Sequence, residues 1–299
     1  MSQIQFIITK AAKLQKKILF TDGAQPKVLA IASAIAADGI AHPILLGTSQ
    51  KIIEVAKTNG IILDGIDIIT PQKSHLFTHF TNEIVRQKGH SKETEAYLKS
   101  SLNFGLAVVK IGEADILVVA DRFPHEGIIA SATEIIGLKE ELATPSNVCF
   151  LESADQFLTI PDCWIDPPTS NQLADIAITS ARTHNQLTGK MPRVEFVYPD
   201  ENSSIVQKIR AAVEMIRFRE HTVSVFELTD MSQALQSKNS VLMFPEFYIG
   251  KMITDVIERF GKYSVYGPLL QGFKKSVQPI YLKENLQDSV AAISMSILI

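Results

Sequence analysis

The chain has 299 residues, 46% of them hydrophobic and 20% charged, with a formal net charge of −3. That balance belongs to a globular protein of about two domains and leaves no global electrostatic case for nucleic acid or acidic lipid. The two cysteines, Cys149 and Cys163, exclude a disulfide framework, and neither a CxxC nor a Cys/His zinc spacing is present.

The N-terminus MSQIQFIITKAAKLQKK lacks a charged segment followed by a long apolar core, and no apolar run reaches the ~18 residues of a membrane span. The cytoplasm is therefore the expected location. Along the chain, short apolar strands alternate with amphipathic helices, predicting a two-domain α/β fold with mainly parallel sheets and helices on both faces. "KKILF" (Lys16–Phe20) is the first expected strand, and the turn "TDGAQP" leads into a helix on which Val28, Ile31, Ala32 and Ile35 keep helical spacing up to Gly39. "AHPILLG" predicts the next strand and "TSQKIIEVAKTNG" the next helix, capped by Thr48 or Ser49. "ADILVVA" (Ala114–Ala120) reads as a central strand that ends in an irregular "DRFPHEG".

In the second half, a helix capped near Thr169 or Ser170 precedes the strand "RVEFVY" and the helix "SSIVQKIRAAVEMIRF". "SVLMFPEF" is a strand stopping at Pro245, "KMITDVIERFG" a helix ended by Gly261, and "NLQDSVAAISMSILI" an apolar closing helix whose end is expected in a core. Open parallel α/β sheets bind ligands at the carboxyl ends of their strands. The segments to search are therefore Asp121–Gly127, Pro245–Lys251 and the Gly-Pro stretch from Gly267 to Asp288.

Within these segments His125 beside Glu126 offers an acid, base or anion donor near neutrality. Lys274 and Lys275 after Gly272 suggest an anion loop, and Asn285 three residues before Asp288 a variant capping box. His75 and His79 share a helix face, but no third metal ligand is near them in the sequence. No Walker loop and no GxGxxG is present.

At these same loops the sequence resembles the phosphate acetyltransferase/phosphate butyryltransferase family over nearly its whole length. "KKILFTDGAQPKVLAIASAIAADGIAHPILLG", "IPDCWIDPPTSNQLADIAITSA", "PRVEFV", "VLMFPEF" and "YGPLLQGFKKSV" are similar to five family segments in the expected order. The resemblance implies an isocitrate/isopropylmalate-dehydrogenase-like fold of two α/β domains. The first comprises 1–137 with 268–299 and the second 138–267, with the active site in the cleft between them. It also implies a homodimer and reversible acyl transfer between coenzyme A and inorganic phosphate, with acyl-CoA as substrate, no covalently bound cofactor and no metal.

Such chemistry develops negative charge and needs preorganised arginines and hydroxyls, with a carboxylate as base for the thiol. The family's arginines fall here on Val85, Ala130 and Leu282, its serine on Tyr281 and its His-Ser-Thr on Phe123, Pro124 and His125. The Ala-Gly-Asn falls on Ile249, Gly250 and Lys251, and "YPDENSS" replaces a Ser/Thr/Gly-rich loop. Asp288 matches the family's aspartate and is the expected base, with His125 as a second catalytic candidate. Arg86, Arg122, Lys251, Gly267, Gln271, Gly272 and Lys275 are the expected substrate and coenzyme A contacts. The expectation is an acyltransferase of weak, shifted or lost activity; the alternative is a non-catalytic paralogue that binds coenzyme A, an anion or a partner.

Overall fold

The computed structural model describes residues 2–120, 122–162, 168–198, 205–228, 230–245, 249–261, 263–279 and 285–299. It divides into a first unit, Ile8–Gly137 with Phe273–Ile297, and a second unit, Met1–Ile7 with Leu138–Gly272 and Leu298–Ile299. The chain opens with α1 (Gln3–Ala12) and β1 (Lys17–Phe20), α2 (Pro26–Ala37), β2 (His42–Leu46), α3 (Ser49–Thr58) and β3 (Asp67–Ile69). Next come α4 (His75–Lys88), α5 (Lys92–Lys99), α6 (Ser101–Lys110), β4 (Ile116–Val119) and α7 (His125–Ile135). The second unit holds β5 (Ser146–Glu152), β6 (Phe157–Asp162), α8 (Ser170–Thr188), β7 (Arg193–Val197) and α9 (Ile205–Arg219). It continues with β8 (Ser224–Leu228), α10 (Met231–Ala234), β9 (Asn239–Met243), α11 (Ile249–Phe260) and β10 (Ser264–Gln271). The chain then returns to the first unit with β11 (Ser276–Pro279) and α12 (Leu286–Leu298).

Among the described residues, the first unit has a five-stranded sheet in the order β11-β4-β1-β2-β3, every pair parallel. A parallel strand covered on both faces is continuously apolar, and β4, Ile-Leu-Val-Val, is buried at all four positions. Pro26 occupies the first turn of α2, where a missing N–H costs nothing, and Val28, Leu29, Ile31, Ala32 and Ile35 form its buried stripe. The expectation for the closing helix holds: Val290, Ile293, Met295 and Ile297 are buried.

The second unit's six-stranded sheet runs β10-β5-β6-β9-β7-β8. β6, β9, β7 and β8 pair in parallel, whereas β10 with β5 and β5 with β6 are antiparallel. α8 starts with a capping box, the Thr169 hydroxyl accepting from the Gln172 N–H and the Gln172 side chain accepting from the Thr169 N–H. No helix among the described residues is long and apolar enough to cross a membrane.

Two local expectations need correction. Within the Gly-Pro stretch, residues 267–271 form the end of β10 and Ser276–Pro279 form β11, with Leu269, Leu270 and Val277 buried and paired. Gly267 (φ 114°) lies in the irregularity between Tyr266 and Leu269, and a Cβ there would meet the Val148 carbonyl at 2.8 Å. Only glycine fits that bulge. The second correction concerns "DRFPHEG": His125 is not in a loop but opens α7, directly after Pro124 at the N-cap.

Candidate active site in the first unit

In a parallel sheet all carboxyl ends lie on one side, and here those of β1, β2, β3 and β4 border a cavity of about 450 Å³. Its walls take Asp22 and Gly23 from the end of β1, Gly47 and Thr48 from β2, Gln72 from beyond β3, and Ala120 and Arg122 from β4. Ser100 and Ser101 at the start of α6, with Lys51 and Lys99, complete the polar lining, and Phe77 and Phe104 supply apolar wall.

Backbone bonds fix these ends. The Thr21 N–H donates to the Val118 carbonyl, the Gly23 N–H to Leu46 and the Gly47 N–H to Ile69, all within 3.0 Å. The fully buried Thr21 hydroxyl accepts from the Ala120 N–H at 2.9 Å. A Cβ on Gly23 would sit 2.8 Å from Leu45 Cβ and 2.9 Å from the Leu46 oxygen, so the turn closes against β2 only with glycine.

Between these two anchors Asp22 takes a left-handed conformation, φ 54°. That costs an L-residue on the order of 1 kcal/mol, and aspartate is among the few residues that tolerate it. The conformation delivers the carboxylate to the cavity. Asp22 Oδ1 lies 2.7 Å from Arg122 Nε, and Oδ2 accepts from the Thr21 hydroxyl at 3.2 Å. Arg122 also donates from Nη2 to Ser101 Oγ at 2.8 Å, and its guanidinium lies 4.6 Å from the Phe123 ring centre. The charged lining thus comprises three cations, Lys51, Lys99 and Arg122, against one carboxylate. The environment favours a small anion.

The expected site residues divide by position. Arg122 lines the cavity, and His125 begins the helix that follows the same strand end. The Ser276 hydroxyl, at the amino end of β11, donates to the Ser296 carbonyl near the end of α12 at 3.2 Å. Asp288 stands in the first turn of α12. The helix is capped by Asn285, whose Oδ1 accepts from the Gln287 N–H at 2.9 Å. The Asp288 carboxylate makes no hydrogen bond or ion pair among the described residues, so the capping-box reading of Asn285 and Asp288 is corrected to a cap by Asn285 alone.

Lys275 is at the wrong end. It directly precedes β11, and its charge is felt by Asp115, which precedes β4. Burial tends to raise the Asp115 carboxyl, but the Lys16 ammonium at 2.8 Å, the Lys17 N–H and Lys275 together hold it below its ordinary value. Of the expected anion loop, Lys275 thus belongs to an ionic cluster at the amino ends of the strands, while the Lys274 N–H donates to the Gly137 carbonyl. Arg86 is exposed in the last turn of α4, roughly 14 Å along the helix axis from the cavity-lining Phe77. It makes no ion pair among the described residues. His75 and His79 lie exposed on α4, and no group of three or more His, Cys, Asp or Glu that could hold a metal occurs among the described residues.

The remaining expected contacts belong to the second unit. Gln271 is buried, and its amide is fully engaged: Nε2 donates to Ser146 Oγ at 2.9 Å and Ser180 Oγ at 2.7 Å, and Oε1 accepts from Thr183 Oγ1 at 2.9 Å. Its expected ligand role is corrected to a core one, since no donor or acceptor of the amide faces outward. The Gly272 carbonyl accepts from the Lys139 N–H at the turn after β10. Lys251 pairs with Asp255 one turn along α11 at 2.6 Å, and that hydrogen bond raises the ammonium pKa. A concavity of about 630 Å³ in this unit, lined by Glu152, Asp155, Lys190 and Lys238, sits where β6 and β9 begin, the end of a parallel sheet that does not usually bind ligands.

Asp121, Cys163, the 199–204 segment, Tyr281 and Leu282 lie outside the described residues. Of the other two positions where the resemblance implies arginine, Ala130 is exposed on α7 and Val85 is half-buried on α4. Sequence reasoning missed Asp22, Ser101, Lys51 and Lys99. Asp22 carried a usable signal, because it stands two residues past the end of an expected strand.

The model of the phosphate acetyl/butaryl transferase family matches residues 2–296. The chain belongs to that family. A phosphate acetyltransferase of Thermoanaerobacterium thermosaccharolyticum is 28% identical over 323 residues, covering 98% of both chains. A phosphate acetyltransferase of Synechocystis is 27% identical over 92% of this chain, which spans only 43% of that longer relative. The solved structure of a phosphotransacetylase from Streptococcus pyogenes superposes with a TM-score of 0.87 at 21% identity, covering 99% of this chain and 97% of that one. That likeness establishes the α/β fold of the phosphate acetyl/butaryl transferase family for this chain.

Proposed function

We propose that this chain is a slow phosphate acyltransferase, moving an acyl group between coenzyme A and inorganic phosphate. In that reaction phosphate oxygen attacks the thioester carbonyl, the C–S bond breaks, and the thiolate takes up a proton; the reverse needs a base for the thiol. Asp288 is proposed as that base and His125 as a second catalytic residue. The reading is supported by the family match over residues 2–296 and by Asp288, which falls on the family's aspartate, stands in the first turn of α12 and makes no hydrogen bond or ion pair among the described residues.

The slowness follows from the replaced donors. Removing one preorganised donor to a developing oxyanion typically costs a hundredfold or more in rate, and losses within one unit are not additive. Arg122 returns one guanidinium, and Lys51 and Lys99 add two ammonium groups, but a lysine does not reproduce the bidentate geometry of arginine on phosphate. Arg86 and Lys251 are proposed as minor contributors, the latter after release from Asp255. Phosphate-dependent thiol release that disappears in Asp288→Ala tests this; release that survives the substitution rejects Asp288 as base.

A second reading, a non-catalytic paralogue that binds coenzyme A or another anion, is favoured by Ala130, which stands exposed where the resemblance implies arginine. It requires coenzyme A binding with no turnover. In either case we infer a homodimer. Met252, Val256 and Phe260 stand exposed at four-residue spacing along α11, an apolar stripe suited to a second copy. A chain of 33.0 kDa eluting as a monomer at micromolar concentration contradicts that inference. Acting on soluble acyl-CoA, with no cofactor bound covalently, it would work in the cytoplasm.

A further inference from the structure

Between β3 and α6 the chain of the first unit leaves the sheet for an excursion that carries a short 3₁₀ turn (Pro71–Lys73), α4 and α5. Five of its residues, Pro71, Gln72, Phe77, Leu98 and Lys99, form one wall of the cavity. We propose that α4 and α5 are a lid, which swings as a unit to open and close that wall while the sheet and α6 stay in place.

The lid is lightly held. Over residues 75–99 only Phe80, Ile84 and Thr94 are buried, whereas α6, ten residues long, buries seven. An element with so few buried contacts opens locally at far less cost than the whole fold. Its apolar seat is Phe104 of α6, whose ring centre lies 5.7 Å from that of Phe77 and 6.0 Å from that of Phe80. Tyr97 of α5 stacks on Phe80 of α4 at 6.3 Å, which joins the two helices into one moving piece.

Closing also leaves two polar atoms unmet. Asn103 of α6 donates its amide N–H to the Tyr97 carbonyl at 3.2 Å, but its Oδ1 is buried and accepts from no group among the described residues. Thr81 Oγ1 on α4 is buried in the same condition. Such atoms are uncommon in folded proteins and count against the closed form, since water satisfies them once the lid lifts.

A latch offsets this cost. Lys88, in the last turn of α4, places Nζ 2.6 Å from Glu134 Oε1 on α7 and 4.9 Å from the centre of the Tyr97 ring. Burial, and after it the Glu134 carboxylate, pushes the Tyr97 hydroxyl up to about 12, so the ring beneath the ammonium stays neutral. Both charged side chains are partly exposed, and a pair of this kind holds without locking. The hinges are single residues. Ser74 and Ser100 are extended where the lid begins and ends, and Gly89, at φ 71°, separates α4 from α5.

The inference goes beyond the proposed function and rests on the cavity wall alone, so its test needs no turnover. Hydrogen–deuterium exchange of the full chain is followed by mass spectrometry for the wild type, Lys88→Met and Lys16→Met, the last removing an ion pair at the other end of the sheet. Amides of residues 75–99 are expected to exchange together and about tenfold or more faster than those of α6. Lys88→Met is expected to speed them about two- to fivefold without touching α6, and Lys16→Met to leave them unchanged. Ala120, 1% exposed on the cavity wall, supplies a second readout. Alkylation of Ala120→Cys by iodoacetamide, located by peptide mapping, is expected to accelerate by the same factor when Lys88→Met is added. Exchange of residues 75–99 at the rate of α6 overturns the lid, and equal acceleration of both by Lys88→Met does so too, because it shows global rather than local opening. Exchange unmoved by Lys88→Met overturns the latch. Alkylation unmoved by it, in a variant shown to be folded, overturns control of access; if Ala120→Cys does not fold, the exchange measurement decides alone.

Discussion

His184 lies on α8 with no exposed surface, its ring edge-on to Phe157 at 5.5 Å between centres. Its tautomer follows from its neighbours. Asn239 gives its amide N–H to the Met191 carbonyl, so Oδ1, 2.8 Å from His184 Nε2, must be the acceptor. Nε2 therefore carries the proton, and Nδ1 accepts from the Thr159 hydroxyl at 2.7 Å. A second proton on Nδ1 would face that hydroxyl and place an uncompensated charge in the core. Burial accordingly lowers the pKa from its ordinary 6.5 to about 4, only partly offset by the hydrogen bond to Asn239.

The sign of the pH effect follows. Between about 4 and 6.5 the unfolded chain binds a proton at this residue and the folded chain does not, so stability rises with pH by about 1.4 kcal/mol per unit. The contribution is whole above 6.5 and is lost as pH falls towards 4, a total on the order of 3 kcal/mol. Urea unfolding of the wild type and His184→Gln at pH 7.5 and pH 5.0 isolates it from the other titrating groups. The variant, lacking the hydrogen bonds and packing, is less stable at pH 7.5, and the gap should narrow by about 2 kcal/mol at pH 5.0. A gap that stays constant over that range refutes the burial of a neutral histidine.

The corrected role of Gln271 predicts that Gln271→Ala destabilises the protein by about 3 kcal/mol, since it strands Ser146, Ser180 and Thr183 in the core. Urea midpoints measure this, and a change below about 1 kcal/mol would return Gln271 to the list of ligand contacts. Gly23→Ala forces a methyl against Leu45 and the Leu46 carbonyl and should cost roughly 1–3 kcal/mol by the same assay. It should also weaken phosphate binding by displacing Asp22, and binding that matches the wild type would show that the turn does not position the site.

The strands of the first unit were readable because parallel strands buried on both faces are apolar runs, as in Ile116–Val119, and their helices because caps and spacing agree. The end-of-strand rule also led to Arg122 and to His125. What was not readable depended on partners remote in sequence. Gln271 looks like a polar residue in a glycine-flanked loop until Ser146, Ser180 and Thr183 are brought to it from β5 and α8. Lys275 looks like part of a ligand loop until Ser276–Pro279 is recognised as a parallel strand, which puts the residues before it at the amino end of the sheet. Asp22 was read as part of a turn. Its meaning lies in a backbone angle and in an arginine one hundred residues later, and neither leaves a local pattern.

The central claim is acyl transfer retained at low rate and dependent on Asp288. Its most direct test is thiol release from acetyl-, propionyl- and butyryl-coenzyme A, with and without phosphate, for the wild type and Asp288→Ala beside an active family enzyme. The account predicts phosphate-dependent release at least a hundredfold slower than the reference and abolished in Asp288→Ala. Folded protein that releases no thiol with any of the three donors would contradict it.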